Sequence, residues 1–304
     1  MSSVIQSVRS TVFSDPQQRG IVLMAMAVFV FSIYTALTKY LAADFSPLQI
    51  QFFRGVFGLI PLLIVARLRH EPLRFCSQRP WLQVLRAVLG ISSTALFVLA
   101  YRQMPLADAV TIGYAAPIFV TALSVPLLSE KVGLHRWSAV VVGFIGVLIV
   151  AQPGAGMASE GALLAISGTV LYALMILATR RLGGSDSVLT TMLYSTVLYI
   201  AITAPAMPFL WVAPNAGEFL AFAMIGMIAG LGMFLFVEAY RLAPAATVAP
   251  FDYTAMGWAA LFGYVIWAEV PSPTTVLGIA VIAAAGLYIV HRERVRGSGA
   301  ASRT

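Results

Sequence analysis

Polar and charged residues cluster between long apolar runs in this chain. Ten of these runs have the length of a membrane span, about 20 residues each: 20–42, 47–66, 81–101, 106–128, 136–152, 160–180, 187–211, 217–240, 245–268 and 273–291. The connectors are short and hold turn formers: "DFSP", "QPGAGMASE", "GGSDS", "APNAG" and "EVPSP". The pattern predicts an all-α membrane protein with ten transmembrane helices and no room between them for a soluble domain. Residues 1–19 read as a polar N-terminal segment. Residues 292–304, small and polar, read as a disordered tail.

Composition agrees with the pattern. Hydrophobic residues make up 60% and charged residues 10%, with mean hydropathy +0.90. A soluble domain carries roughly 25% charged residues, so the lipid bilayer must be the solvent for most of this chain. The net charge of +7 does not point to nucleic acid, because its position explains it. Fifteen of the nineteen basic residues fall on one side: Arg9, Arg19, Arg67, Arg69, Arg74, Arg79, Lys131, Arg136, Arg180, Arg181, Arg241, Arg292, Arg294, Arg296 and Arg303. The other side has Lys39 and Arg102, and Arg54 and Arg86 lie within spans. Lys and Arg favour the cytoplasmic side, which places both termini of this multi-pass protein in the cytoplasm. The single cysteine, Cys76, allows no intrachain disulfide, and no cleavable signal precedes the first run.

The chain repeats itself. "AYRQMP" at 100–105 returns as "AYRLAP" at 239–244, 139 positions later. At that offset Tyr114 meets Tyr253 and Glu130 meets Glu269. Upstream, at an offset of 141, Gly20 meets Gly161, Thr38 meets Thr179, Lys39 meets Arg180, and Ser46 meets Ser187. Residues 20–152 and 160–291 are therefore two copies of one five-helix unit. Five is odd, so the second copy enters the membrane from the opposite face. Inverted repeats of this kind are common among secondary transporters, where exchanging the packing of the two halves moves a central cavity from one side to the other.

Three stretches resemble a known family. "SPLQIQFFRGVFGLIPLL" (46–63) is similar to the second helix of the EamA family in the drug/metabolite transporter superfamily. "AYRQMPLADAVTIGYAAPIFVTALSVPLLSEKVGLHRWSAVVVGFIGVLIV" (100–150) resembles the end of that family's repeat, with Pro117 in the fourth helix and Glu130 after it. "APFDYTAMGWAALFGYVIWAEVPSP" (249–273) resembles the second copy, with Met256 where the first has Pro117. The resemblance implies a central cavity lined by helices 1, 3, 4, 6, 8 and 9, with 5 and 10 to one side. It implies facilitated diffusion or exchange, commonly metabolite export, including export of aromatic amino acids. A minority of the family imports cofactor-like metabolites.

Charges within spans are costly and ask for a reason. Arg54 is seven residues into its helix, roughly 10 Å deep. It reads either as an anion site for a substrate carboxylate or as a structural arginine satisfying loop carbonyls. The second reading is favoured because the resemblance puts helix 2 off the cavity wall. Asp252, between Phe251 and Tyr253 on a cavity helix, reads as a partner for a substrate amine or proton, or as a buried structural carboxylate. Its depth argues against a direct pair with Arg54. Arg86 and Glu238 lie at similar depth on repeat-related helices and read as a gating ion pair; the alternative pairs Glu238 with Arg241 at i, i+3. Asp108 reads as a structural carboxylate in the first turn of its helix.

Tyr34, Tyr101, Tyr114, Tyr172, Tyr253 and Trp258 fall on expected cavity helices. Such rings stack on aromatic groups or hold an ammonium by cation–π contact. Tyr114 and Tyr253 correspond across the repeat and form the preferred substrate pair, with Thr38, Gln49 and Gln51 as uncharged polar candidates, the two glutamines on helix 2, which the resemblance puts off the cavity wall. Gly226 and Gly230 form a GxxxG step, open to sliding contacts, a homodimer or ordinary packing. No nucleotide-binding loop, metal-ligand spacing or catalytic triad is present, so neither a cofactor nor an enzyme is expected. The sequence reads as a secondary transporter exporting small amphipathic metabolites, above all neutral and aromatic amino acids. The alternative is import of a cofactor-like metabolite such as riboflavin or S-adenosylmethionine.

Overall fold

The computed structural model describes residues 16–68, 70, 75–129, 133–152, 157–182 and 186–301. Glu130 lies outside them. The described residues form helices and turns, with no strand among them: α1 Pro16–Ala42, α2 Pro47–Leu68, α3 Pro80–Gln103, α4 Leu106–Gly113, α5 Ala116–Leu128, α6 Leu134–Ala151, α7 Met157–Leu182, α8 Val188–Thr203, α9 Met207–Leu210, α10 Ala216–Leu242, α11 Ala245–Asp252, α12 Thr254–Trp267 and α13 Pro273–Ala301. Four of them begin on a proline, whose missing N–H is no loss in a first turn. Asn215 and Glu218 close a reciprocal capping box on α10.

Seven stretches are long and apolar enough to cross a membrane, and Trp137–Ala151 and Pro273–Ile289 are shorter apolar helices. The pair α11–α12 completes ten crossings, so the chain is a multi-pass membrane protein. The N-terminal end of α1 marks what we call the near face; α1 ends at the far face.

Two spans expected to be continuous are broken. The fourth splits into α4 and α5 at Tyr114–Ala115, and the ninth into α11 and α12 at Tyr253. Proline accounts for the first, since it removes a helix N–H and crowds the preceding turn. Pro117 sits in the first turn of α5, and Pro250 lies inside α11. Tight bonds replace the missing ones: Ile118 N–H to Ala115 O at 2.9 Å, Met256 N–H to Tyr253 O at 3.2 Å. Met256 replaces Pro117 in the second copy, yet the break recurs at the equivalent position, three residues after Pro250.

The backbone itself repeats at the offset of 139. Pro105 (φ −56°, ψ 146°) and Pro244 (φ −57°, ψ 142°) open the two broken spans. Ser129 (φ 55°, ψ 29°) and Ala268 (φ 55°, ψ 28°) close them, both left-handed. Packing follows the same symmetry. The two most extensive helix contacts are α3 on α7 and α10 on α1: each crosses between repeats, and inversion turns one into the other. The chain is thus two inverted five-helix repeats wrapped around each other.

Glycines set the closest approaches. On α6 a Cβ at Gly143 would lie 2.1 Å from Ile118, and on α13 one at Gly278 would lie 2.1 Å from Val150. On α10 Gly226 and Gly230 receive Phe57 and Pro61 of α2, so the GxxxG face is occupied within the chain. At the C-terminus, α13 continues to Ala301 through residues expected to be a disordered tail.

Candidate functional site

The broken ninth span ends its first half on Asp252 and turns at Tyr253, while the broken fourth turns at Tyr114. The two breaks meet in the middle of the bundle. The Tyr114 hydroxyl donates to Asp252 Oδ1 at 3.2 Å, and the Tyr114 and Tyr253 rings lie with centroids 5.7 Å apart. No ion pair engages Asp252 among the described residues. The two tyrosines are not equivalent. Tyr253 turns its hydroxyl against Gly286 of α13, where an added Cβ would meet it at 1.7 Å. Tyr114 keeps its hydroxyl on the charged residue.

Arg54 faces the same region from α2. Its guanidinium carbon lies 5.2 Å from the centroid of the Tyr34 ring and 5.7 Å from that of Tyr199. It does not cap loop carbonyls, the reading favoured from sequence, because α2 turns this face toward α1 and α8. Tyr172 of α7 is close enough to interact electrostatically with both Arg54 and Asp252, and it is 43% exposed although mid-span. Tyr34, Tyr199, Tyr172 and Tyr114 therefore lie around one half-buried cation and one half-buried anion. Tyr199 was not among the sequence candidates. Its signal was a tyrosine in the middle of an apolar span at a helix equivalent to that of Arg54.

At the far face an ion pair ties the repeats together. Lys39 at the end of α1 bonds Glu269, which lies between α12 and α13. Lys39 also donates to Met104 O at 3.2 Å, and Glu269 accepts from the Leu106 N–H at 2.8 Å. The Trp267 ring lies under the ammonium at 5.1 Å. The pair forms part of the wall of a cavity of about 580 Å³ that Tyr101, Arg102 and Trp267 also line. Sequence reading placed Lys39 and Glu269 on the far side but did not pair them. Their repeat counterparts, Arg180 and Glu130, were the available signal.

The other candidates disperse. Thr38 gives its hydroxyl proton to Tyr34 O at 2.8 Å and is 2% exposed. Trp258 packs edge-on against Phe29 at 4.8 Å and beside Phe262. Gln49 clamps both backbone groups of Val212. Arg86 and Glu238 do not meet: Arg86 donates to Thr191 O at 2.8 Å and to the Ser195 hydroxyl, and Glu238 holds Arg241 at 2.9 Å. The Thr191 carbonyl on neighbouring α8, which also accepts from the Ser195 hydroxyl, takes the guanidinium, while Glu238 already has a cation one turn away. Asp108 accepts from Thr275 at 2.5 Å, fastening α4 to α13. No group of three or more potential metal ligands occurs among the described residues.

Residues 18–152 and 159–291 each match the EamA-like transporter family. The S-adenosylmethionine uptake transporter of Rickettsia prowazekii is 26% identical over 276 residues, covering 90% of this chain and 93% of its own. The riboflavin transporter of Vibrio cholerae is 29% identical over 285 residues, covering 90% and 94%. The pseudopaline exporter of Pseudomonas aeruginosa is 27% identical over 287 residues, covering 92% and 99%. A solved structure shares the fold at a TM-score of 0.63 and 16% identity, covering 90% of this chain and 96% of its own. With ten crossings in two inverted repeats, and with both repeats matched, the chain belongs to the EamA-like transporter family.

Proposed function

We propose that this transporter works by alternating access at the bacterial inner membrane, with its near face in the cytoplasm. Its substrates are small amphipathic metabolites carrying an ammonium group and an apolar or aromatic body, and neutral and aromatic amino acids leaving the cell fit best. One observation carries this reading: the two proline breaks meet at mid-bundle and set Asp252, held by Tyr114, beside aromatic rings at the junction of the repeats. An unpaired carboxylate among tyrosines suits a cation. A site at the midplane, built from discontinuous helices, is the arrangement from which repeats rock to expose a substrate to either side. The ion pair between Lys39 and Glu269 holds the far ends of the repeats together in this packing.

The test is counterflow. Proteoliposomes are loaded with unlabelled phenylalanine, threonine or methionine, and the matching labelled compound is added outside, with and without a pH gradient. Saturable accumulation that falls on changing Tyr114→Ala or Asp252→Asn supports the reading. Absence of counterflow for every amino acid, from folded protein, refutes it. A second reading is import of S-adenosylmethionine, favoured by relatives of that name that align over 90% of this chain. It shares the α-amino acid end and adds a second cation. Labelled S-adenosylmethionine in the same vesicles separates the two.

A further inference from the structure

We propose that Arg54, with Gln51 one turn before it, is the anion subsite of the central site and takes the substrate's carboxylate. The inference rests on the carrier reading above and narrows its substrate class. The ligand is then a zwitterion, its anionic end on Arg54 and its cationic end on Asp252, its body lying along Tyr172.

The protein shows how it satisfies arginines elsewhere. Arg86 donates to Thr191 O and Ser195. Arg102 donates to Ala42 O and Phe45 O. Arg79 and Arg181 each donate to a backbone carbonyl. Arg54 does none of this. No described residue accepts a hydrogen bond from it, and no described carboxylate pairs with it; its neighbours are the rings of Tyr34 and Tyr199.

Aromatic faces attract the positive charge but offer no oxygen to the five N–H donors of a guanidinium. A cation–π contact offsets part of the penalty of an arginine at this depth and leaves the donors open. A carboxylate matches that fork with two parallel bonds.

Gln51 is the independent sign. It is 1% exposed, and neither its Nε2 nor its Oε1 has a partner. It precedes Arg54 by three residues, so the two share one face of α2. Buried amides left without partners are rare. Here one lies three residues before a cation that also lacks an acceptor among the described residues. Its neighbour Gln49, two positions away and so on another face, is fully engaged with Val212.

The experiment is thermal unfolding of the purified full chain with three probes: phenylalanine, phenethylamine (no carboxylate) and 3-phenylpropionate (no amine). A ligand that binds only the folded state stabilises it by RT ln(1 + L/Kd), with L the free ligand concentration, so the rise in Tm with concentration reports affinity. For the wild type, both carboxylate probes raise Tm, and phenylalanine raises it most. In Arg54→Gln the apparent affinity for each carboxylate probe falls at least about tenfold, the scale of a lost charge-assisted hydrogen bond, while the response to phenethylamine persists. Arg54→Lys, which keeps the charge without the fork, restores part of the carboxylate response. Asp252→Asn gives the opposite pattern, losing phenethylamine and keeping 3-phenylpropionate. Unchanged carboxylate responses in Arg54→Gln overturn the proposal, and so does a wild type that answers to no carboxylate probe. A protein that loses every response in Arg54→Gln while its unliganded Tm also drops is judged on Arg54→Lys. Equal carboxylate affinity in that variant and the wild type overturns recognition by the fork. Failure of counterflow alone refutes the carrier reading without touching this result.

Discussion

Glu269→Ala isolates the energetics of the tie between the repeats. Lys39 is 7% exposed and Glu269 22%. Without Glu269, the ammonium keeps one carbonyl, Met104 O at 3.2 Å, and the Trp267 ring at 5.1 Å. Removing one partner of a buried pair costs about 3–5 kcal/mol, because the remaining charge is uncompensated. Lys39→Met is the milder change. It leaves Glu269 more exposed than Lys39 was and still bonded to the Leu106 N–H at 2.8 Å, so its cost is about 1–3 kcal/mol, the scale of desolvating a partly satisfied group. The double variant removes both charges and falls closer to the wild type than Glu269→Ala does, since an apolar replacement for an ion pair is often neutral. Chemical unfolding in mixed micelles, followed by helical circular dichroism, gives all three free energies and the coupling between the sites. The order expected is Glu269→Ala worst, then Lys39→Met, with the double variant well short of their sum. A cost below about 1 kcal/mol for Glu269→Ala, or a double variant equal to the sum, refutes the buried tie and makes the pair an ordinary solvated contact.

Three further outcomes follow from the geometry. Gly286→Ala drives a Cβ to 1.7 Å from the Tyr253 hydroxyl; the displaced ring costs about 1–3 kcal/mol, and Tyr253→Phe in the same chain recovers part of it in a thermal melt. Ala268→Gly relieves a left-handed residue at the end of α12 and raises stability by up to about 1 kcal/mol; a loss of stability sinks the strain argument. In the loop before α8, burial is the largest single influence on Asp186 and opposes its ionisation, but bonds from Ser77 at 2.5 Å, Gln83 at 2.8 Å and the Gln78 amide at 3.1 Å together outweigh it and hold the carboxyl below the usual range. A depressed folded value stabilises above the unfolded value, about 4, and is lost as pH falls through the folded one. Asp186→Asn therefore lowers Tm at pH 7, and the gap to the wild type narrows as pH drops below about 4; a gap that stays constant refutes it.

The crossings were legible because a span is a statement about length and apolarity, and the bilayer enforces both. What the letters did not give were the breaks. A proline inside an apolar run reads the same whether the helix kinks, shifts register or stops, and only packing against the opposite repeat selects the stop at Tyr114 and Tyr253. Pairings failed for a similar reason. Arg86 and Glu238 share a depth, but depth fixes one coordinate of three. Rotation about the helix axes turned Arg86 toward Thr191 and left Glu238 with Arg241. Arg54 shows the same limit: its contacts with the Tyr34 and Tyr199 rings depend on which face of α2 it occupies, which depth does not fix.

The repeat also separates residues that the scaffold needs twice from those it needs once. Lys39 and Glu269 have charged counterparts of the same sign, Arg180 and Glu130, at positions inverted across the bundle. Cap torsions recur to within a few degrees at Pro105 and Pro244 and at Ser129 and Ala268. The central charges do not recur. At the offset of 139 the place of Asp252 is taken by Gly113, and at 141 that of Arg54 falls on Ser195. Tyr253 keeps its ring but turns away from Asp252 to Gly286. A two-fold rock between equal halves needs matching ends and caps in both copies, or one orientation would be favoured by several kcal/mol and the other left unpopulated. A single small substrate with distinct ends has no two-fold axis, so the groups that grip it have no reason to be duplicated. The asymmetry of Arg54 and Asp252 within a symmetric frame fits the single-zwitterion site proposed above.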